Sequence, residues 1–289
     1  MRLLEYFKMT FELFKHAVPA PTSGVLTLAF LSCLLFLTRT YFHFPPSVLG
    51  VGAAVFQNGH FHTLLAFPFF HRTVPQLLLN MAALAFLGGG MEKGVGTVRF
   101  LFAFFLLSAI TGFLYSVFDL LQGDDGRAQN EGLLPAALAC VAVTSTRTRM
   151  TKAFLCGVTF PAAALPWLLL IILTALVPHA VLPCNAIAVL VGWVHGTGWL
   201  SPLDLSEARA GALEKTTPFR LLRMIGGVGF VPASGEERRR TVLLKIDPPA
   251  GSYPVQAYAP SSRGVAAELY EGWPDGTSSL SGPTPPPES

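Results

Sequence analysis

Residues 80–100 have the sequence NMAALAFLGGGMEKGVGTVRF, and this stretch decides the fold of the chain. It joins two apolar segments through a short turn, in which one acid lies midway between two glycines in the pattern Gly88-x-x-x-Glu92-x-x-x-Gly96. An acid at such a turn can cap a helix end or form an ion pair with Arg99. We therefore expect Glu92 to have a structural role.

The composition is that of a membrane protein. Hydrophobic residues make up 52% of the chain and charged residues only 13%, against about a quarter charged in soluble domains. Six apolar blocks approach the roughly 20 residues that a helix needs to cross a bilayer. They lie near residues 24–42, 74–91, 98–120, 131–147, 153–177 and 182–200. Because a backbone in lipid must satisfy its own hydrogen bonds, we predict an all-α membrane protein with six transmembrane helices.

The distribution of Lys and Arg predicts the orientation of these spans. Positive residues concentrate before the first span, in the turns after the second and fourth spans, and in the tail. Since positive loops stay in the cytosol, we expect both termini to be cytosolic. Residues 1–20 alternate Leu and Phe with Lys and Arg, which predicts an interfacial helix at the start of a membrane domain over residues 1–200. A cleaved signal peptide is not expected.

The tail changes in character at about residue 201. Residues 201–245 are amphipathic and basic, and we predict one helix over 203–225 lying along the cytosolic membrane face. The run EERRR at 236–240 favours a solvated patch, with anionic lipid as the alternative partner. Residues 246–289 are rich in Pro, Ser and Gly and are predicted to be disordered. Prolines between 283 and 287 could bind an SH3 or WW domain, although a plain linker is favoured.

The turn motif and its surroundings resemble the rhomboid family of intramembrane serine proteases. His71 and Asn80 are nine residues apart and match a histidine and an asparagine of that family, whose second histidine falls on Gln76. In the sixth block, Gly192 and Gly196 match two further glycines. The resemblance implies a six-helix rhomboid-like bundle in which His71, Gln76 and Asn80 line the former oxyanion region. An interhelical hydrogen bond is an equally favoured role for Asn80.

The two catalytic positions depart from the family. The serine position falls on Leu134, within Gly132-Leu133-Leu134-Pro135, and the histidine position falls on Val189. Neither side chain can act as a nucleophile or as a general base, so no Ser–His dyad is possible there. The resemblance therefore implies a rhomboid-like pseudoprotease that binds transmembrane clients or partners without cleaving them.

Three other residues keep a protease alternative open, in which the catalytic pair is displaced. His195 lies six residues beyond the histidine position and favours an interfacial or packing role. Ser145 is expected to satisfy the end of its helix, and Ser108 to bond within its own helix or to a neighbour. An unrelated six-span transporter is less favoured, because no charged residue lies in mid-span.

Cofactors, metals and nucleic acids are not expected to bind. The four cysteines lie in different apolar blocks and show no metal-binding spacing, and the net charge is only +3. Membrane lipid and client proteins are the expected partners. Several stretches outside the motifs also resemble a vertebrate pseudoprotease-like branch of the family, which implies a Golgi or endoplasmic reticulum membrane. They include Val143-Thr144, Pro166-Trp167 and Asp204-Leu205-Ser206-Glu207.

Overall fold

The computed structural model describes residues 21–42, 49–123, 130–148, 152–155, 158–226 and 229–239, which belong to one compact unit. The predicted interfacial helix over 1–20 lies outside the described residues. So do the predicted disordered tail over 246–289 and the prolines proposed to bind an SH3 or WW domain.

Helices make up most of the described chain. In order they are α1 (Ser23–Phe42), α2 (Ala54–Gln57), α3 (Thr63–Ala66), α4 (Val74–Val95), α5 (Thr97–Gln122), α6 (Leu134–Arg147), α7 (Leu165–Leu176), α8 (Leu182–Gly196), α9 (Glu207–Glu214) and α10 (Thr217–Gly226). Short 3-10 turns occupy Phe67–Phe69, Ala162–Ala164 and Ser201–Leu203. One antiparallel hairpin joins β1 (Lys152–Leu155) to β2 (Val158–Pro161).

The predicted helical membrane fold is confirmed. Among the described residues, α1, α4 and α5 are long and apolar enough to cross a bilayer on their own. The helix α8 and the segment Ser201–Glu214 meet the same criteria only when taken together, with a bend of 86° between them, and α6 and α7 are shorter apolar helices. These six helices, α1 and α4 to α8, form the bundle.

The predicted fifth span over 153–177 is wrong in its first part. There the chain forms the β1–β2 hairpin, in which Lys152 pairs with Pro161, and the helix begins only at Leu165. A proline inside a helix loses a hydrogen bond and clashes with the preceding turn, so Pro161 and Pro166 exclude one continuous helix. Pro166 instead lies in the first turn of α7, where proline is tolerated.

The helix α6 lies at the centre of the bundle. Its residues 134–143 are all buried, and many of them are alanines, which let neighbouring helices approach closely. On α8, a Cβ added at Gly192 would lie 2.9 Å from Ala139 Cα, and one at Gly196 would lie 2.6 Å from Thr146 Cβ. The pattern Gly192-x-x-x-Gly196 therefore brings α8 against α6.

Glu92, in the last turn of α4, fastens the start of α1. Its carboxylate accepts the N–H groups of Gly24 at 2.8 Å and Val25 at 2.9 Å. The Thr97 hydroxyl donates to the same carboxylate at 2.7 Å, and the Thr22 hydroxyl donates to it as well. The first N–H groups of a helix have no partner inside the helix, so Glu92 caps α1 from outside. We call this end of the bundle the Glu92 end.

Arg99 does not pair with Glu92, so Glu92 acts as a helix cap and the ion pair that the sequence also allowed is not formed. Its guanidinium donates to the Leu205 carbonyl at 3.0 Å and lies 3.4 Å from the Glu207 carboxylate. Arg99 therefore joins the start of α5 to the tail.

The single helix predicted over 203–225 is wrong. The segment forms α9 and α10, which are separated at Lys215 and Thr216. Pro218 explains the break, since a proline has no N–H to donate and its ring would clash with the carbonyl four residues earlier, that of Glu214, in a continuous helix. The Ser206 side chain caps α9 by accepting the Arg209 N–H.

The segment 229–239 folds back onto the turn between α4 and α5. Thr97 N–H donates to the Val231 carbonyl at 2.8 Å, and Val231 N–H donates to Thr97 Oγ1 at 3.0 Å. Gly96 has φ +98°, and a Cβ there would lie 2.8 Å from the Pro232 carbonyl oxygen. Glycine at position 96 therefore serves both the turn and the docked tail.

Glu236 and Arg239 are exposed within the run predicted to be a solvated patch over 236–240, but Arg238 is largely buried. Its guanidinium donates to the carbonyls of Val95, Pro232 and Ala233 at 3.0, 3.0 and 2.7 Å. The Val95 carbonyl belongs to the last turn of α4, where helix carbonyls lack partners and a cation is favourable. Arg238 thus caps α4, a role that the charge run did not indicate.

Candidate functional site

The two positions predicted to replace a catalytic pair, Leu134 and Val189, belong to one buried apolar cluster. Leu134 is the first residue of α6 and is 2% exposed, while Val189 lies in the middle of α8 and is 1% exposed. The cluster also contains Ala83 from α4, Leu138 and Ala142 from α6, Leu170 from α7, and Val177. Four helices of the bundle therefore meet around these two side chains.

Hydrocarbon side chains fill this part of the bundle. Leu79, Leu87, Leu169 and Leu173 pack against the cluster from α4 and α7. None of these groups can donate, accept or transfer a proton. The cluster itself therefore offers no polar partner for an ordered water, which needs two to four of them.

Asn80 is buried on α4 with its amide unpaired. It is 1% exposed, and neither Nδ2 nor Oδ1 has a hydrogen-bond partner among the described residues. A Cβ added at Gly132, where φ is +117°, would overlap Asn80 Nδ2. Only glycine therefore fits beside the Asn80 amide, immediately before α6 begins.

Gln76 and His71 take part in local structure. Gln76 Oε1 accepts the Arg72 N–H at 2.7 Å, and its Nε2 donates to the Glu131 carbonyl at 3.1 Å. Gln76 thus joins the start of α4 to the segment that precedes α6. His71 Nδ1 lies 3.1 Å from the Phe69 carbonyl, and His71 Nε2 has no partner among the described residues.

Burial lowers the pKa of His71 from its ordinary value to about 4. The hydrogen bond to the Phe69 carbonyl opposes this effect, and the positive charge of Arg39 adds to it. His71 is therefore neutral at physiological pH.

A buried ion pair lies beside these residues and was missed in the sequence. Glu131 has a fully buried carboxylate that pairs with Arg39 at the end of α1, and Arg72 Nε lies 3.8 Å from it. Arg39 also donates to the His71 carbonyl at 3.2 Å. The signal in the sequence is that Arg39, Arg72 and Glu131 all lie at ends of apolar blocks that reach the same side of the membrane. We call this the Glu131 end of the bundle.

A second polar contact inside the bundle was also missed. Asn185 Nδ2 on α8 donates to Thr174 Oγ1 on α7 at 2.9 Å, and Asn185 is almost fully buried. This hydrogen bond joins two neighbouring helices. Asn185 Oδ1 has no hydrogen-bond partner among the described residues.

His195, predicted to be an interfacial or packing histidine, has two charged neighbours. It is fully buried at the Glu92 end, where Nε2 lies 2.6 Å from Asp204 Oδ1. Arg147 donates to Asp204 Oδ2 at 2.9 Å and lies 3.3 Å from His195 Nδ1. The sequence did not indicate Asp204 as a partner of His195, because Asp204 lies outside the apolar blocks and reaches His195 only when the chain turns after α8.

The two serines of the protease alternative are not joined to a histidine. Ser145 Oγ donates to the Ala142 carbonyl within α6, and Ser108 is buried on α5 without a partner among the described residues.

The motif glycine Gly88 lies against the ring of Phe100. In the described part of the chain, no three His, Cys, Asp or Glu side chains form a group that could hold a metal ion.

The chain matches the model of the rhomboid domain over residues 58–203, which is half of its length and contains most of the bundle. The chain belongs to the rhomboid family. Its rhomboid domain includes every candidate site residue described above, from His71 to Gly196. No solved structure matches the chain.

The chain is also similar to Rhomboid-like protein 15 of Arabidopsis thaliana. The two are 26% identical over 197 residues, which cover 63% of this chain and 47% of the relative. The chain therefore spans about half the length of that curated relative. Family membership agrees with the resemblance found in the sequence, while the assignment of Leu134 and Val189 to the catalytic positions stays a prediction.

Proposed function

We propose that this rhomboid-family protein is a pseudoprotease that binds transmembrane clients or partners without cleaving them. The observation that carries the proposal is the closed apolar cluster around Leu134 and Val189. Rhomboid-type hydrolysis needs a hydroxyl nucleophile, a base within about 2.6–3.2 Å and water. Hydrocarbon side chains occupy both predicted catalytic positions, and the side chains in their cluster are apolar.

The alternative, a protease with a displaced catalytic pair, has less support. Among the described residues, no serine hydroxyl is hydrogen-bonded to a histidine ring. Ser145 bonds to its own helix, and His195 is held by Asp204 and Arg147 at the Glu92 end. His71 is neutral, but its Nδ1 is directed to a backbone carbonyl.

The surface of α7 supports client binding. Only Pro166 and Leu170 of its 12 residues are buried, and Trp167, Ile171 and Leu176 are exposed. In a bilayer these side chains contact either lipid or another helix. A client helix could replace lipid on α7 without opening the bundle, because this face is already apolar and accessible.

We further propose a Golgi or endoplasmic reticulum membrane with both termini in the cytosol. The asymmetry of Lys and Arg supports the orientation, because the Glu92 end carries the basic tail. A glycosylation acceptor added to the C-terminus should remain unmodified in microsomes. Modification would contradict the orientation.

Labelling with a fluorophosphonate tests the absence of catalysis. The full-length protein in detergent should not be labelled, because Leu134 offers no nucleophile. The matched controls are Ser108→Ala and Ser145→Ala. Labelling of the wild-type protein that either substitution abolishes would show a displaced nucleophile and overturn the proposal.

Site-specific photo-crosslinking tests client binding. A photoreactive residue at position 171 on α7 should capture an added transmembrane peptide, and the captured peptide should keep its full mass. The control is position 30, because Phe30 on α1 is equally apolar and 70% exposed. Equal capture at both positions would reject a client surface on α7, and captured fragments would indicate proteolysis.

A further inference from the structure

The tail helix α10 has two apolar sides that face different surroundings. Phe219 and Leu222 pack against the bundle and the tail core. Successive residues of a helix are separated by about 100°, so Leu221 and Met224 lie on the other side. Leu221 is 55% exposed and Met224 is 74% exposed. A helix that lay entirely in water would gain nothing from these two side chains.

Three cations lie beside this exposed side. Lys215 and Arg220 are exposed and have no ion-pair partner among the described residues. Arg223 pairs with Glu237 at 2.7 Å and lies over the ring of Phe230. Lys215 and Arg220 are therefore unneutralised charges next to exposed hydrocarbon.

A cleft of about 510 Å³ lies between these side chains and is lined by Glu214, Lys215, Arg220, Arg223 and Met224. Its one acid points largely inward, because Glu214 is buried and its Oε1 accepts the Ala233 N–H at 2.6 Å. The exposed charge of the cleft is therefore mainly positive.

The position of α10 places this cleft next to the membrane. The helix packs against α1, and Phe219 and Leu222 contact the cluster that contains Val25 and Leu28 of that helix. These two residues lie in the first turns of a helix long enough to cross the bilayer. The end of such a helix lies at the level of the lipid headgroups.

We propose that the cleft binds the phosphorylated headgroup of an anionic phospholipid. Lys215 and Arg220 contact phosphate oxygens, the lysine through its ammonium group as a point charge and the arginine through its guanidinium group. Leu221 and Met224 reach the boundary of the acyl chains, as apolar side chains of interfacial helices do. The exposed hydrocarbon favours a membrane lipid over a soluble phosphate compound, which would leave it in water.

Native mass spectrometry of the full-length protein in detergent tests the proposal. The probes are dioleoyl phosphatidylinositol 4-phosphate and, as the neutral lipid, dioleoyl phosphatidylcholine. We expect the anionic lipid to be retained preferentially. Arg220→Gln should weaken its binding about five-fold, since one basic residue near an anionic membrane surface contributes roughly that factor.

Arg209→Gln is the matched control, because Arg209 is an exposed arginine on the neighbouring helix α9 that does not line the cleft. It should change lipid binding less than two-fold. Equal losses in Arg209→Gln and Arg220→Gln would show attraction to net charge alone and overturn the proposed site. Unchanged thermal unfolding of both variants shows that the tail remains folded.

A second pair of measurements separates lipid from soluble phosphate. Met224→Gln should weaken retention of the lipid, and soluble inositol 1,4-bisphosphate should bind at least ten-fold more weakly than the lipid. If the soluble headgroup binds as tightly as the lipid and Met224→Gln has no effect, the ligand is a free phosphate compound and the lipid proposal is wrong. Lipid retention does not depend on client binding, so it is decided separately from the pseudoprotease proposal.

Discussion

Gly192→Ala should separate the two helices at the centre of the bundle. The added Cβ would lie 2.9 Å from Ala139 Cα and 2.9 Å from Ala142 Cβ, and closer still to the Ala139 carbonyl oxygen. Ordinary contacts between such atoms are about 3.5–4.0 Å, so the helices must move apart by roughly 1 Å. Two of the opposing atoms belong to the backbone of α6, which cannot turn aside as a flexible side chain can.

The expected cost follows from overpacking. Forcing one extra carbon into a close-packed interior typically costs about 1–3 kcal/mol. For a protein of this size, 2 kcal/mol corresponds to a fall in Tm of about 4–8 °C. Thermal unfolding of the detergent-purified protein, followed by tryptophan fluorescence or by cysteine accessibility, measures this change.

Gly90→Ala is the matched control. Gly90 lies inside α4, and an added Cβ there would meet nothing within 4 Å. Alanine is favoured over glycine in a helix by about 1 kcal/mol, so this variant should be at least as stable as the wild-type protein. If Gly192→Ala unfolds at the wild-type temperature, the close contact between α6 and α8 is not what positions these helices.

Two further perturbations probe the opposite ends of the bundle. Glu92→Gln should lower the free energy of unfolding by about 3 kcal/mol, because an amide replaces a charged acceptor of several N–H and O–H groups; chemical denaturation should show no such loss for the exposed Glu207→Gln. Because burial lowers the pKa of His71 to about 4, below its unfolded value near 6.5, its contribution to stability is full above about pH 6.5 and is lost as the pH falls toward 4. Thermal unfolding between pH 7 and 5 should show this loss, by up to about 1.4 kcal/mol per pH unit. His71→Gln should reduce it and the exposed His179→Asn should not; an unchanged pH dependence in His71→Gln would refute the assignment.

The sequence predicts those parts of the fold that depend on local spacing. Apolar blocks of about 20 residues located α1, α4 and α5. The alternatives for Glu92 were likewise limited to a cap or an ion pair by its place at a turn. Each of these inferences depends only on residues within one helix or at the turn between two neighbouring helices.

The features that the sequence did not indicate depend on distant residues. In the sequence, Arg238 belongs to a charged run that is typical of a solvated surface, and only the fold places the Val95 carbonyl beside it. Asp204 is likewise recognisable as a partner of His195 only in the folded chain. The broken fifth span has a different cause. The apolar composition of residues 153–177 favoured one long helix. Pro161 and Pro166 exclude a continuous helix over these residues, which form a hairpin followed by the shorter helix α7.

The bond between Arg238 and the end of α4 has a consequence for how the protein is made. The guanidinium and the Val95 carbonyl are 143 positions apart in the chain. At roughly 5–20 residues per second, a ribosome adds the residues between them in about 7–29 s. During that interval the membrane helices have been synthesised, but the last turn of α4 still lacks its partner. The cap on α4 therefore forms only after residue 238 has been added, and a nascent chain that stalls before residue 238 presents quality control with an open helix end.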